Sequence, residues 1–169
     1  MLIPDVNVLV HAHRPEAPGH AGARGRLGEV LGADEPVGVS ELALSGFLRI
    51  VTNHRVFMDP TPPAQALDFC ATVLDAPAAV AVRPGPRHWP LFTRLCEDVS
   101  ARGNVVLDAF HAALAIENGA TWVTTDRGVA RFPGLRWIPL PTAPSAPQRG
   151  LAGRDRLGRA GHEPDRSST

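Results

Sequence analysis

The chain has 169 residues, 44% of them apolar, with 17 Arg, no Lys and 17 acidic residues. That length and composition fit one globular domain with a hydrophobic core, and they exclude whole-chain disorder and a small disulfide scaffold. The net charge of zero hides an asymmetry: residues 1–140 hold 12 Arg against 14 acidic residues, and 141–169 hold five against three.

In chain order, Met1–Pro4 reads as a short buried strand and Val6–His13 as the helix behind it. A Pro- and Gly-bearing loop, Arg14 to Gly19, leads to a helix expected over His20–Leu31. Pro36–Val39 is the second strand, Ser40 a helix N-cap, and Glu41 falls in the first turn of the helix that follows. After Pro60, Pro62 and Pro63 a helix is expected over Ala64–Leu74, then a strand at Val80–Val82 that ends at Pro84-Gly85-Pro86. A helix over Trp89–Ser100 and a turn at Arg102-Gly103-Asn104 precede the helix Val105–Asn118, with Gly119 as its stop signal. Thr121–Thr124 is a strand, Asp126–Phe132 a turn or short helix, and Leu135–Ile138 the last strand.

Strands alternating with helices predict an α/β fold whose central parallel sheet is covered on both faces, confined to residues 1–140. Residues 141–169 are rich in Pro, Gly, Arg and Ser and nearly lack large apolar side chains, so a disordered tail is expected there. Cys70 and Cys96 show neither CxxC nor Cys/His spacing, which predicts packed thiols in a reduced, cytoplasmic protein. The start of the sequence lacks a basic region followed by a long apolar run, and no segment is long enough to span a membrane, so neither a signal peptide nor a membrane anchor is expected.

Ligand groups in parallel sheets gather beyond the carboxyl ends of the strands. Asp5 closes the first strand, Glu41 follows the second, and Asp126 follows Thr121–Thr124. Asp108, a poor helix former, lies near the start of the helix Val105–Asn118. Two of them have an ordinary explanation to set beside this, the helix dipole for Glu41 and a turn with Arg127-Gly128 for Asp126, whereas Asp5 and Asp108 are harder to explain by structure alone. Their shared placement is what predicts one oxygen-rich site, suited to magnesium or manganese and not to zinc. Such a site serves phosphodiester hydrolysis with one or two ions, two lying about 3.5–4 Å apart. Asn7 and Thr124 are placed to orient the carboxylates or hold water. The pair His11/His13 points in different directions on a helix and makes a poor zinc site, while His111, one turn beyond Asp108, reads as an ordinary polar contact.

With these residues in hand, the chain resembles the PIN-domain family, specifically VapC-type toxins of type II toxin–antitoxin pairs. The matching stretches are Leu2 to Val10, Ser40-Glu41-Leu42 with Phe47 to Asn53, Gly103 to Ala109 with Ala112 to Ala115, and Thr124-Thr125-Asp126-Arg127. The resemblance implies an α/β/α sandwich and a magnesium-dependent endoribonuclease, with manganese as a substitute ion, that cuts RNA such as transfer or ribosomal RNA loops. It also implies a VapB-type antitoxin partner and a homodimer. By position, Asp5 and Asp108 would be the chief metal ligands, Glu41 and Asp126 would complete an acidic quartet, and Thr124 would match a supporting hydroxyl. Gly128 stands where relatives often carry a further Asp. The competing expectations are a PIN nuclease of RNA processing without an antitoxin, and a non-catalytic RNA-binding module.

Overall fold

A computed structural model describes residues 1–140; the expected disordered tail, 141–169, lies outside the described residues. Five strands form one sheet: β1 (Leu2–Pro4), β2 (Val37–Val39), β3 (Ala79–Ala81), β4 (Thr121–Thr124) and β5 (Arg136–Pro139), in spatial order β3-β2-β1-β4-β5. Every neighbouring pair is parallel. The helices are α1 (Val6–His13), α2 (His20–Leu31), α3 (Glu41–Val51), α4 (Pro63–Leu74), α5 (His88–Asp98) and α6 (Asn104–Glu117), and Arg127–Arg131 forms a single 3-10 turn. The expected elements are all present, with ends displaced by one or two residues. None of the described helices is long and apolar enough to cross a membrane.

Two cores lie on the two faces of this sheet. Neighbouring strand residues point to opposite faces, so Trp122 and Val123 belong to different cores although they are adjacent in sequence. Val37, Val39 and Val123 pack under α1, α2, α3 and α4, with Leu9, Leu27, Phe47 and Val73 as representative partners. Ile3 and Trp122 pack under α5 and α6. The fully buried alanines 109, 112, 113 and 115 bring α6 close to the sheet. Gly38 belongs to the same tight layer: a Cβ there would lie 2.6 Å from Val82 Cγ2 and 2.8 Å from Ile3 Cγ1.

Helix ends fall where local chemistry supplies partners. At the end of α6 the Gly119 N–H donates to Ile116 and the Ala120 N–H to Ala115, a Schellman closure that needs the left-handed φ of +58° at Gly119. Ser40 occupies the N-cap position of α3, but its side chain makes no capping bond. Asp5 does cap α1, its carboxylate accepting the Val6 N–H.

Candidate active site

The chain order of the strands places a topological switch between β1 and β4: the chain leaves β1 for β2 on one side and returns to β4 on the other. The crevice beyond that seam is where an open α/β sheet collects ligand groups. A cleft of about 440 Å³ opens there, with Asp5, Asn7, Asp108, His111 and Asp126 among its lining residues.

Asp5 reaches the cleft because the Asp5 N–H bonds to the Val123 carbonyl at 2.8 Å, which extends the β1–β4 pairing one residue past β1. Its Oδ1 accepts the Val6 N–H at 2.7 Å. Its Oδ2 accepts Asn7 Nδ2 at 2.7 Å and the Thr124 hydroxyl at 2.5 Å. Thr124 is fully buried, and its hydroxyl is saturated: the proton goes to Asp5, while the lone pairs accept Asn7 Nδ2 at 2.9 Å and the Asp126 N–H at 3.0 Å. Asn7 Oδ1 accepts the Thr125 N–H at 3.1 Å. Asn7 and Thr124 therefore join the ends of β1 and β4 and fix the Asp5 carboxylate in one orientation.

Asp108 enters from α6, on the opposite layer from α1. Asp126 caps the 3-10 turn, its Oδ1 accepting the Gly128 N–H at 2.7 Å. A side chain at position 128 would crowd that same Oδ1, 2.9 Å from its Cβ, and the Arg131 guanidinium, 2.6 Å away.

The electrostatics are those of acids without a counter-ion. Among the described residues no Arg or His forms an ion pair with Asp5, Asp108 or Asp126. Burial raises the Asp5 pKa to about 6; its hydrogen bonds oppose the shift, and repulsion from Asp108 and Asp126 adds to it. Burial also raises Asp108, as does Asp126, against a lowering influence from Arg131. Protons or cations would relieve the repulsion that Asp5 and Asp108 experience. Oxygen donors alone suit a hard divalent ion. Among the described residues no group of three or more His, Cys, Asp or Glu side chains is gathered closely enough to hold a metal ion.

Glu41 lies elsewhere. Its side chain is 68% exposed, pairs with Arg83 at 2.5 Å, and does not line the cleft. Glu41 follows β2 and Arg83 follows β3, and these strands are neighbours on the side of the sheet away from β4. The cleft gathers Asp5, Asn7, Asp108 and Asp126, with Thr124 bonded to Asp5 behind them, while the Glu41 carboxylate is held by Arg83.

Sequence reasoning set His111 aside as an ordinary polar contact and missed several other cleft residues. His111 lines the cleft, is 4% exposed, and has no partner at Nε2, so at that nitrogen it makes no polar contact among the described residues. Burial, with the charge of His88, lowers its pKa to about 4, leaving the ring neutral at physiological pH. Asn104, Leu107, Asp108 and His111 share one face of α6 at helical spacing, a signal readable once Asp108 is placed. Arg49 and Ile50 of α3 and Val56 beyond it also line the cleft, with nothing in the local sequence to mark them. Of the HxH pair, His11 lines the cleft and His13 turns away: it packs edge-on to Phe47 and Phe69, centroids 5.3 and 4.9 Å away, and contacts the Thr61 hydroxyl at 3.2 Å.

Known proteins carry this architecture and sequence. The family model described as PIN domain matches residues 2–135. The chain is 52% identical over 137 residues to the VapC ribonuclease Mb2897 of Mycobacterium bovis, covering 81% of this chain and 93% of that protein. It is 40% identical over 141 residues to ribonuclease VapC25 of Mycobacterium tuberculosis, covering 83% and 99%. Among solved structures, VapBC2 from Rickettsia felis, bound to a DNA fragment from its promoter, superposes with a TM-score of 0.63 at 18% identity, covering 82% of this chain and 97% of that one. VapC20 of Mycobacterium tuberculosis, described as a sarcin-ricin loop cleaving toxin, superposes with a TM-score of 0.56 at 14% identity, covering 80% and 99%. The chain belongs to the PIN-domain family, among its VapC-type ribonucleases.

Proposed function

We propose that this protein is a magnesium-dependent endoribonuclease and the toxin of a VapBC-type toxin–antitoxin pair, acting in the cytoplasm on transfer or ribosomal RNA. The observation that carries the reading is the convergence of Asp5, Asp108 and Asp126 on one cleft with no ion-paired cation among the described residues. Asp5 and Asp108 would hold the ion, with Asp126 beside them. When bound between them, the ion would supply a lowered pKa for its water and positive charge for phosphodiester hydrolysis. The chain supplies orientation: Asn7 and Thr124 pin the Asp5 carboxylate, and the Gly128 N–H holds Asp126. Manganese, with the same preference for oxygen donors, would substitute. The solved VapBC complexes of the same fold support a VapB-type antitoxin as partner, and a homodimer belongs to the same proposal.

The test is cleavage of total cellular RNA by protein freed of antitoxin. Discrete fragments with magnesium, none with EDTA, and none from Asp5→Ala or Asp108→Ala are expected. Cleavage retained by folded Asp108→Ala protein would remove the assignment.

A further inference from the structure

We propose that Arg49 is a positioning residue that grips a phosphate of the RNA backbone beside the scissile one. The inference rests on the nuclease reading and adds the contact that seats the substrate. Arg49 sits in the last turn of α3, exposed, and lines the same cleft as the three carboxylates. Among the described residues it has neither an ion pair nor a side-chain hydrogen bond, and it is absent from the charges that shift Asp5 and Asp108. A guanidinium left free in the same cleft as the acids is available to an anionic ligand.

The chemistry of that ligand follows from what surrounds it. The acids with their ion take one phosphate, and the next phosphate along a strand requires its own counter-charge. A guanidinium fork meets phosphate oxygens in bidentate geometry. Beside Arg49 the wall is apolar, built from Val10, Ile50 and Val56, the last 55% exposed. A base turned out of its stack packs against such a wall, whereas a paired base keeps its faces in the helix. A last-turn Arg also complements the helix dipole, but that role acts on stability alone and leaves substrate affinity untouched.

The experiment compares the full-length wild type with Arg49→Ala and Arg49→Lys, cleaving a fluorescent RNA that carries the mapped site in a loop, over a range of salt. Arg49→Ala is expected to raise KM about tenfold while kcat stays within about twofold, since a charge-assisted contact to the bound strand is lost but the carboxylates are intact. The slope of log KM against log salt should flatten by about 0.7, the value of one phosphate contact on single-stranded nucleic acid. Arg49→Lys should restore that slope and only part of the KM, because it keeps the charge without the fork. Unchanged KM and salt slope in Arg49→Ala, or a fall in kcat at constant KM, would overturn the proposal. So would loss of antitoxin binding with RNA kinetics intact. A wild type that cleaves no RNA with any divalent ion removes the nuclease reading and this inference together, whereas a cleaving wild type with an indistinguishable Arg49→Ala removes the inference alone.

Discussion

In metal-free buffer the domain should lose stability as pH rises from 4 to 7 and regain it on addition of magnesium, with Asp5 as the principal residue behind both effects. Burial holds the Asp5 pKa at about 6 against an ordinary 3.8. A folded-state pKa above the unfolded value means that the native state binds the proton more tightly. The resulting stabilisation is complete below the unfolded value and is lost as pH rises through the folded one. Two pKa units at about 1.36 kcal/mol each amount to about 3 kcal/mol, and Asp108 shifts in the same direction. At about 3 °C per kcal/mol for a domain of this size, the melting temperature should fall by roughly 9 °C across that window. Magnesium at about a hundred times its dissociation constant would return about 2.7 kcal/mol, or roughly 8 °C. The assay is thermal melting followed by circular dichroism, from pH 4 to 7, in EDTA and in magnesium. Asp5→Asn serves as the reference: it carries no titrating charge, so its pH slope should be flatter and its response to magnesium small. Parallel pH profiles for wild type and Asp5→Asn in EDTA would refute the claim that Asp5 holds its proton in the fold. An equal magnesium shift in both proteins would place the ion elsewhere.

Three further outcomes follow from particular contacts. Thr124→Val should cost about 1–3 kcal/mol and most of the cleavage activity, because Asp5, Asn7 and the Asp126 N–H each lose a buried partner; Thr124→Ser should restore both in melting and cleavage assays. Gly38→Ala should destabilise by about 1–3 kcal/mol, since its Cβ meets Val82 and Ile3 well inside van der Waals distance, and a melting temperature equal to wild type would contradict that close approach. Arg83→Ala should leave the melting temperature within about 1 °C, its ion pair with Glu41 being solvent-exposed on both sides. The same variant should lower the magnesium concentration needed for half-maximal cleavage and Glu41→Gln should raise it; no change in either would place Glu41 outside the reaction.

What the sequence by itself determined is the set of elements and most of the acids. Periodicity and punctuation mark strands and helices because each element buries one stripe or face, and that pattern is local. The rule that parallel sheets gather ligands beyond their carboxyl ends was enough to single out Asp5 and Asp126, and an Asp inside an Ala-rich helix singled out Asp108. Strand order is different, because it depends on which surfaces pack and not on any window of residues. Only the tertiary structure could set β1 beside β4, so that Asp5 and Asp126 share a crevice through Thr124, and β2 beside β3, so that Glu41 meets Arg83. The same holds for Arg49 and His111, whose residue types are unremarkable in sequence and whose surroundings arise from two helical layers meeting across the end of a sheet.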